Sequence, residues 1–329
     1  MRRVRLALAA ALGLWLGCSH GEPFAVPAQG TDQPLVPGVP TRLTYSALSD
    51  SQPAWLPDGS ALLYSARRLD LPDTTTCLEF LPPTGGSASR SICPFVSVWL
   101  DSTRALQAGA VSPSGRVAYL RSARTAPNLG WSRRQLELLD PGAAPRLLTI
   151  VPESSATVPP HNDVAQIRWL DDNRFVYRAG LYYLFFPCLG YCPPLEADSG
   201  RFVVLADLTN GPAVFSVVPG TQGTTSLATA GSDTILFTTY GDSRVHREVL
   251  STGVTGVAWD FGAGHTVVGV QIAGSRLVAI VDGTPWMADL QAATSSQINP
   301  GPYSTPALSP DGKRLLVLRG GDLWLFNLP

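Results

Sequence analysis

Two stretches of this chain, 53–66 and 306–319, are variants of one string: PAWLPDGSALLYSA and PALSPDGKRLLVLR. A recurring unit constrains a fold more than local propensity does, because each copy must bury its apolar face against the next. Weaker copies are AGAVSPSGRVAYLRS (108–122) and AQIRWLDDNRFVYRA (165–179), and SLATAGSDTILFTTY (226–240) and VGVQIAGSRLVAIVD (268–282) keep the same phase. Each reads as strand, tight turn, strand. The turn residues Asp-Gly, Ser-Gly, Asp-Asn, Ser-Asp and Gly-Ser tolerate the positive φ that two-residue hairpins demand. The runs after them are rich in Leu, Val, Ile and Tyr, as buried strands require.

A second hairpin follows each first one: CLEFLPP/SRSIC, QLELLDP/PRLLTIV, FVVLADL/AVFSVVP, HREVLST/GVAWDFG and WMADLQA/SSQINPG. Each unit therefore holds four antiparallel strands, a to d. Six units fit between Thr41 and Pro329 at about 48 residues each, the period of a propeller blade. Seven units would average about 41, also within the known range, but no seventh turn signal exists. The last unit has strands a, b and c and then stops. PTRLTYS (40–46) precedes the first a strand and has the shape of PRLLTIV, a d strand. The expected fold is an all-β, six-bladed β-propeller of four-stranded antiparallel blades. Its N-terminal strand pairs with the C-terminal blade, which leaves no open edge at the seam.

The Pro57-Asp58-Gly59 and Pro310-Asp311-Gly312 copies resemble the WD40-like repeat of TolB-type propellers and of the propeller domains of prolyl oligopeptidase relatives. The resemblance covers 41–329. The extra N-terminal domain of TolB and the α/β-hydrolase domain of the peptidases are not read in this sequence, so what it implies is a fold and not those activities.

Ahead of the repeats, Arg2, Arg3 and Arg5 precede an uncharged, mostly apolar run from Leu6 to Gly17. Twelve helical residues reach about 18 Å, short of a bilayer core of roughly 30 Å. Residues 1–17 are thus read as a secretory signal peptide. Leu16-Gly17-Cys18 resembles a bacterial lipobox, with Trp15 where Leu is usual, and implies a lipid on Cys18. By the same resemblance Ser19, in place of Asp, points to the outer membrane. Residues 18–40, rich in Gly, Pro, Gln and Asp, read as a tether. The expected location is the cell envelope, lipid-anchored, on its periplasmic or surface face. Cleavage would remove three arginines and lower the formal net charge from -1 to -4. That balance excludes nucleic acid as the main partner, since phosphate binding needs excess Lys and Arg. The 45% hydrophobic content excludes wholesale disorder, and 31 Gly and 29 Pro against 2 Met suit turns and short strands.

Besides Cys18 the chain has Cys77, Cys93, Cys188 and Cys192, which can pair in three ways. Spacing favours 77–93 and 188–192. Cys77 opens strand c and Cys93 closes strand d around Gly85-Gly86, so the two oppose each other directly. A zinc site is the rival reading, but the spacings are wrong and no His is near. No metal and no cofactor is expected.

The long connections fall on one side of the ring. They are the b–c links of the first three blades, near 67–76, 123–134 with Trp131, and 180–201, and the d–a link 153–163 with His161. Long insertions on a compact scaffold more often carry function than packing. In LYYLFFPCLGYCPPLEADSG (181–200), Tyr182, Tyr183, Phe185, Phe186 and Tyr191 crowd around Cys188 and Cys192. One reading is an aromatic lip that docks a protein, peptide or glycan. The other is a prolonged strand folded down onto the ring as a plug. Catalytic patterns fail in turn. Gly241-Asp242-Ser243 resembles a lipase nucleophile block but reads as a b–c turn, because the partner Asp-x-x-His is absent. There is no Gly-x-Ser-x-Gly elbow, and His20, His161, His246 and His265 lack metal-ligand spacing. The expectation is a non-enzymatic, protein- or ligand-binding scaffold of the envelope, working through the b–c/d–a face of blades one to three. The alternative is a hydrolase or lyase with a site at the channel mouth, marked by converging carboxylates or histidines.

Overall fold

The computed structural model describes residues 38–45, 49–68, 71, 75–94, 104–124, 132–151, 163–185 and 195–329; for 104, 123–124, 132–133, 150–151, 181–185 and 195–199 it describes the backbone alone. The described residues form strands and turns. Blade one is β2 (Ser51–Trp55), β3 (Leu62–Arg67), β4 (Thr76–Leu81) and β5 (Arg90–Ile92). Blade two is β6 (Arg104–Val111), β7 (Val117–Arg124), β8 (Ser132–Leu139) and β9 (Arg146–Val151). Blade three is β10 (Asp163–Trp169), β11 (Arg174–Phe185), β12 (Leu195–Asp207) and β13 (Val214–Val217). Blade four is β14 (Thr224–Thr229), β15 (Thr234–Thr239), β16 (Arg244–Val249) and β17 (Val254–Asp260). Blade five is β18 (Val267–Ala273), β19 (Arg276–Val281), β20 (Thr284–Asp289) and β21 (Thr294–Gln297). Blade six is β22 (Ser304–Leu308), β23 (Arg314–Arg319) and β24 (Asp322–Asn327), completed by β1 (Thr41–Arg42).

The ring closes at its ends as expected. Thr41 pairs with Leu325 and Arg42 with Trp324, antiparallel, and Leu43 donates its N–H to Leu323 O at 2.8 Å. Arg42 also meets Asp322 at 2.6 Å. Each blade is an antiparallel meander, and its first strand touches the first strands of both neighbours, so these six strands are innermost. Apolar clusters fill the wedges between blades. Leu62, Tyr64, Leu316 and Leu325 fill the wedge at the seam, and Ile167, Phe175, Tyr177, Leu136 and Leu138 fill that between blades two and three.

Two repeated devices bind blade to blade. The first is a bulge in the innermost strand. Gln52, Ala108, Gln166 and Thr305 hold left-handed φ of 51°, 53°, 53° and 49°, a conformation rare for residues with a Cβ. The register of their strands shifts at these points. The bulge turns a side chain toward the neighbour. Gln52 Oε1 accepts from Ala108 N, Gln166 Oε1 from Leu227 N at 2.8 Å, and Ser226 Oγ from Val270 N at 3.0 Å. The second device is an arginine just past the a–b turn. Arg116 donates to Asp172 O, Arg174 to Ser232 O (3.1 Å), Arg276 to Gly312 O (3.1 Å) and Arg314 to Gly59 O (3.3 Å), each on the next blade. The Pro-Asp-Gly aspartates serve the turns themselves: Asp58 Oδ1 accepts from Ser60 N and Asp311 Oδ1 from Lys313 N.

Candidate functional site

The expected working face is only partly described. Cys18, Trp131, His161, Phe186, Cys188, Tyr191 and Cys192 lie outside the described residues. Tyr182, Tyr183 and Phe185 lie on the backbone of β11. The third b–c link differs from its expected bounds of 180–201. Pairing of β11 with β12 continues to Phe185 opposite Leu195, so strands of 12 and 13 residues form an arm longer than the b–c pair of any other blade. A near-continuous apolar and aromatic run favours extended backbone over a loose loop, which is why the strands continue.

Cys77 and Cys93 are bonded, with Cα atoms 4.5 Å apart, directly opposite each other beside the Leu78–Ile92 pair. Cys77, Glu79 and Cys93 are the one group of possible metal ligands close enough to share an ion among the described residues, and two of the three are spent in this bond.

A cavity of about 270 Å³ opens at the seam, lined by Leu43, Thr44 and Tyr45 of the closing segment and by Asp50, Tyr64, Arg67, Arg68 and Glu79 of blade one. Its placement follows from closure: residues 43–45, which continue β1, lie beside the first blade's b and c strands. Tyr64 and Glu79 are register partners on β3 and β4, so both project to the same side. Glu79 is 2% exposed and held by Arg68 at 2.8 Å and by Ser91 Oγ. Burial raises the Tyr64 hydroxyl above its usual range, and the charges of Asp50 and Glu79 push the same way. It is therefore a neutral hydrogen-bond donor at any ordinary pH. Tyr45 sits over the Arg42 guanidinium at 4.3 Å and is partly exposed at the mouth. Blade two repeats the pattern, with Tyr119 donating to Glu137 at 2.8 Å and Arg121 on the same carboxylate.

Two acid–histidine pairs occur on blades four and five. His246 Nε2 meets Asp242 Oδ2 at 2.8 Å while its ring stacks on Phe237, 5.3 Å between centroids. His265 Nδ1 meets Asp282 Oδ2 at 2.6 Å. The Arg244 side chain, then His246, hold the Asp242 carboxyl well below the usual range. Gly241-Asp242 is indeed the b–c turn. Ser243 bonds Asp260 at 2.9 Å and not a histidine. Sequence reading passed over these pairs; the spacing of Asp242 and His246 across a strand start was the available signal.

No family model matches the sequence, and no curated protein does either. Solved structures do. A gluconolactonase from Xanthomonas campestris is 17% identical, with 90% of this chain and 98% of that one covered and a TM-score of 0.58. A protein named as a candidate gluconolactonase is 16% identical over 88% and 91%, TM-score 0.54. An oligogalacturonate lyase in complex with manganese is 14% identical over 88% and 93%, TM-score 0.47. The class defined by the fold is the β-propeller, and at such identities the likeness is one of fold.

Proposed function

We propose that this chain is a hydrolase or lyase that acts on a small polyhydroxylated substrate, a sugar lactone or sugar acid, in the seam cavity. The observation that carries the reading is the meeting of two carboxylates, two phenols and two guanidiniums around one space of monosaccharide scale. A hydroxyl-rich ligand offers donors and acceptors on every side and needs both in return. In this reading Asp50 takes the proton of the attacking water, and Tyr64, kept neutral, donates to the oxygen on which charge develops. Arg68 and Glu79 hold each other and fix the wall. Fold likeness to a gluconolactonase supports the substrate class by analogy. The test is a pH-stat assay of aldonolactone opening. We expect turnover by the wild type and a loss of at least about a hundredfold for Asp50→Asn, with binding retained. Background rates together with no thermal shift by any lactone or aldonate would refute it.

A second reading, a scaffold docking a protein, peptide or glycan in the envelope, is favoured by the β11–β12 arm. Deleting 182–195 would then abolish crosslinks to a partner in the native envelope while leaving lactone turnover unchanged. Either reading is compatible with an anchor at Cys18.

A further inference from the structure

Register sorts the side chains of β4 between the two neighbours of blade one. Leu78 and Phe80 pack toward blade two, in a cluster with Leu106, Val117 and Tyr119. Cys77 and Glu79 alternate with them, so both project to the opposite face, beside their register partners Ala66 and Tyr64 in the wall of the seam cavity. Ser91 stands opposite Glu79 on β5 and donates its hydroxyl to that carboxylate. The Cys77–Cys93 bond therefore lies on the cavity side of the blade, and both sulfurs are within 4.8 Å of a Glu79 carboxylate oxygen.

The bond also ties down a segment that lines the cavity. Gly86 and Ala88, from the turn that joins β4 to β5, are part of the wall. The same turn meets the closing segment, since a Cβ on Gly85 would stand 3.6 Å from the Leu43 side chain and from its carbonyl oxygen. β5 has three residues and pairs with β4 alone, through Leu78–Ile92, Glu79–Ser91 and Phe80–Arg90. Its turn end has a further bond, from Ser89 N to Phe80 O at 2.7 Å. Its open end is closed by the disulfide, next to Ile92. A ribbon so short, paired on one side, frays from an end that nothing ties, and the Ser91–Glu79 contact is the next to open. Cys77 is fully buried, whereas Cys93 is exposed among the described residues, so an attacking thiolate meets the bond at the Cys93 sulfur.

We propose that the Cys77–Cys93 bond is a redox switch for the seam cavity. Closed, it fixes Glu79 and the β4–β5 turn in the geometry that binds ligand; opened by a dithiol reductant, it releases both. The inference rests on the reading of the seam cavity as the working site. One thiolate of the reductant attacks the Cys93 sulfur, and Cys77 leaves as a thiolate and takes up a proton. The reductant's second thiolate then displaces Cys93, which is protonated in turn, and the reductant departs as a cyclic disulfide. Two electrons pass to the protein, and the dithiol is oxidised. Glu79 then keeps Arg68 but loses the fixed hydroxyl of Ser91, and the turn is no longer pressed against Leu43.

The test compares the full chain, oxidised and reduced with excess dithiothreitol, at a temperature where circular dichroism shows both forms folded. Hydrogen exchange is read on peptides covering 43–45, 82–93 and, as a reference in blade four, 226–240. Aldonolactone binding and turnover are read on the same samples. On reduction we expect faster exchange in the first two peptides, none in the third, and ligand affinity weaker by about tenfold, all reversed by reoxidation. The Cys77→Ala/Cys93→Ala double variant should match the reduced form; if it fails to fold, the reversible reduction of the wild type carries the test. Ser91→Ala, with the bond intact, should weaken binding in the oxidised form and narrow the difference between the two forms. Faster exchange confined to 90–93, equal acceleration in blade four, or equal affinity in the two forms would overturn the proposal. If neither form binds a lactone or aldonate, the reading of the site fails instead, and exchange at 43–45 alone decides whether the bond shapes the cavity.

Discussion

Replacing Arg314 with alanine tests whether the arginine stitches hold the ring, and it does so at the seam where the chain's two ends meet. Arg314 crosses from blade six to blade one. Its guanidinium lies 4.5 Å from the centre of the Trp55 ring and donates to Gly59 O at 3.3 Å. A half-buried cation over an indole contributes about 1 kcal/mol. A long hydrogen bond to a backbone carbonyl adds about 1 kcal/mol. The loss should total roughly 2 kcal/mol, or a Tm lower by about 3 °C for a domain of this size. Arg276→Ala is the internal control. It spans blades five and six through a bond to Gly312 O at 3.1 Å, with no aromatic partner among the described residues, and should cost roughly 1 kcal/mol. Urea unfolding of both variants gives the comparison. A cycle with Trp55→Phe isolates the ring contact, with an expected coupling of about 1 kcal/mol between positions 55 and 314. Equal losses for the two arginines, or a loss under about 0.5 kcal/mol at Arg314, would refute the reasoning.

Opening the Cys77–Cys93 bond, by reductant or as the double serine variant, should cost about 3 kcal/mol, since it closes a loop with a sequence separation of 16; urea midpoints with and without reductant measure it, and unchanged midpoints would show that the β4–β5 edge needs no staple. Stability should fall in acid. Asp242, Asp282, Asp311 and other turn aspartates have folded-state values depressed below the ordinary one. Their contribution is therefore complete above the unfolded value near 4 and is lost as pH drops through the folded values. Asp242→Asn should lower the urea midpoint at pH 7 and flatten its decline below about pH 4, and a decline as steep as in the wild type would exclude Asp242 as a source.

Repetition made the architecture legible. Turn chemistry, strand period and the missing d strand predicted six blades and their closure, because each is a local rule applied many times. The opposition of Cys77 and Cys93 followed from the same phase. What stayed hidden depends on packing between blades. GDSRVH spaces Asp242 and His246 suggestively, but whether His246 swings onto Asp242 and stacks on Phe237 depends on where β16 starts and on the register of β15. The seam cavity was equally invisible. Its residues are ordinary repeat positions of blade one, and they line a cavity because the closing residues Leu43, Thr44 and Tyr45 lie against them. The third b–c link was read too loosely, because an aromatic run between two strands extends both.

Departure from the repeat is where a propeller of this kind shows its chemistry. A blade position repeated as alanine records what packing alone requires. Arg168 stands at a register position that four other blades fill with alanine. The same logic separates Glu79 from its counterparts along the third strands, which are Glu137, Val204, His246, Trp286 and Trp324. Packing tolerates all six, so no single side chain there is demanded by the fold. Glu79 alone adjoins the closing segment, and paired with Arg68 it forms part of the wall of the seam cavity. If the seam is the working site, chemistry has settled on the one interface that the chain does not build consecutively, where two sequence-distant segments must both be in place before the pocket exists.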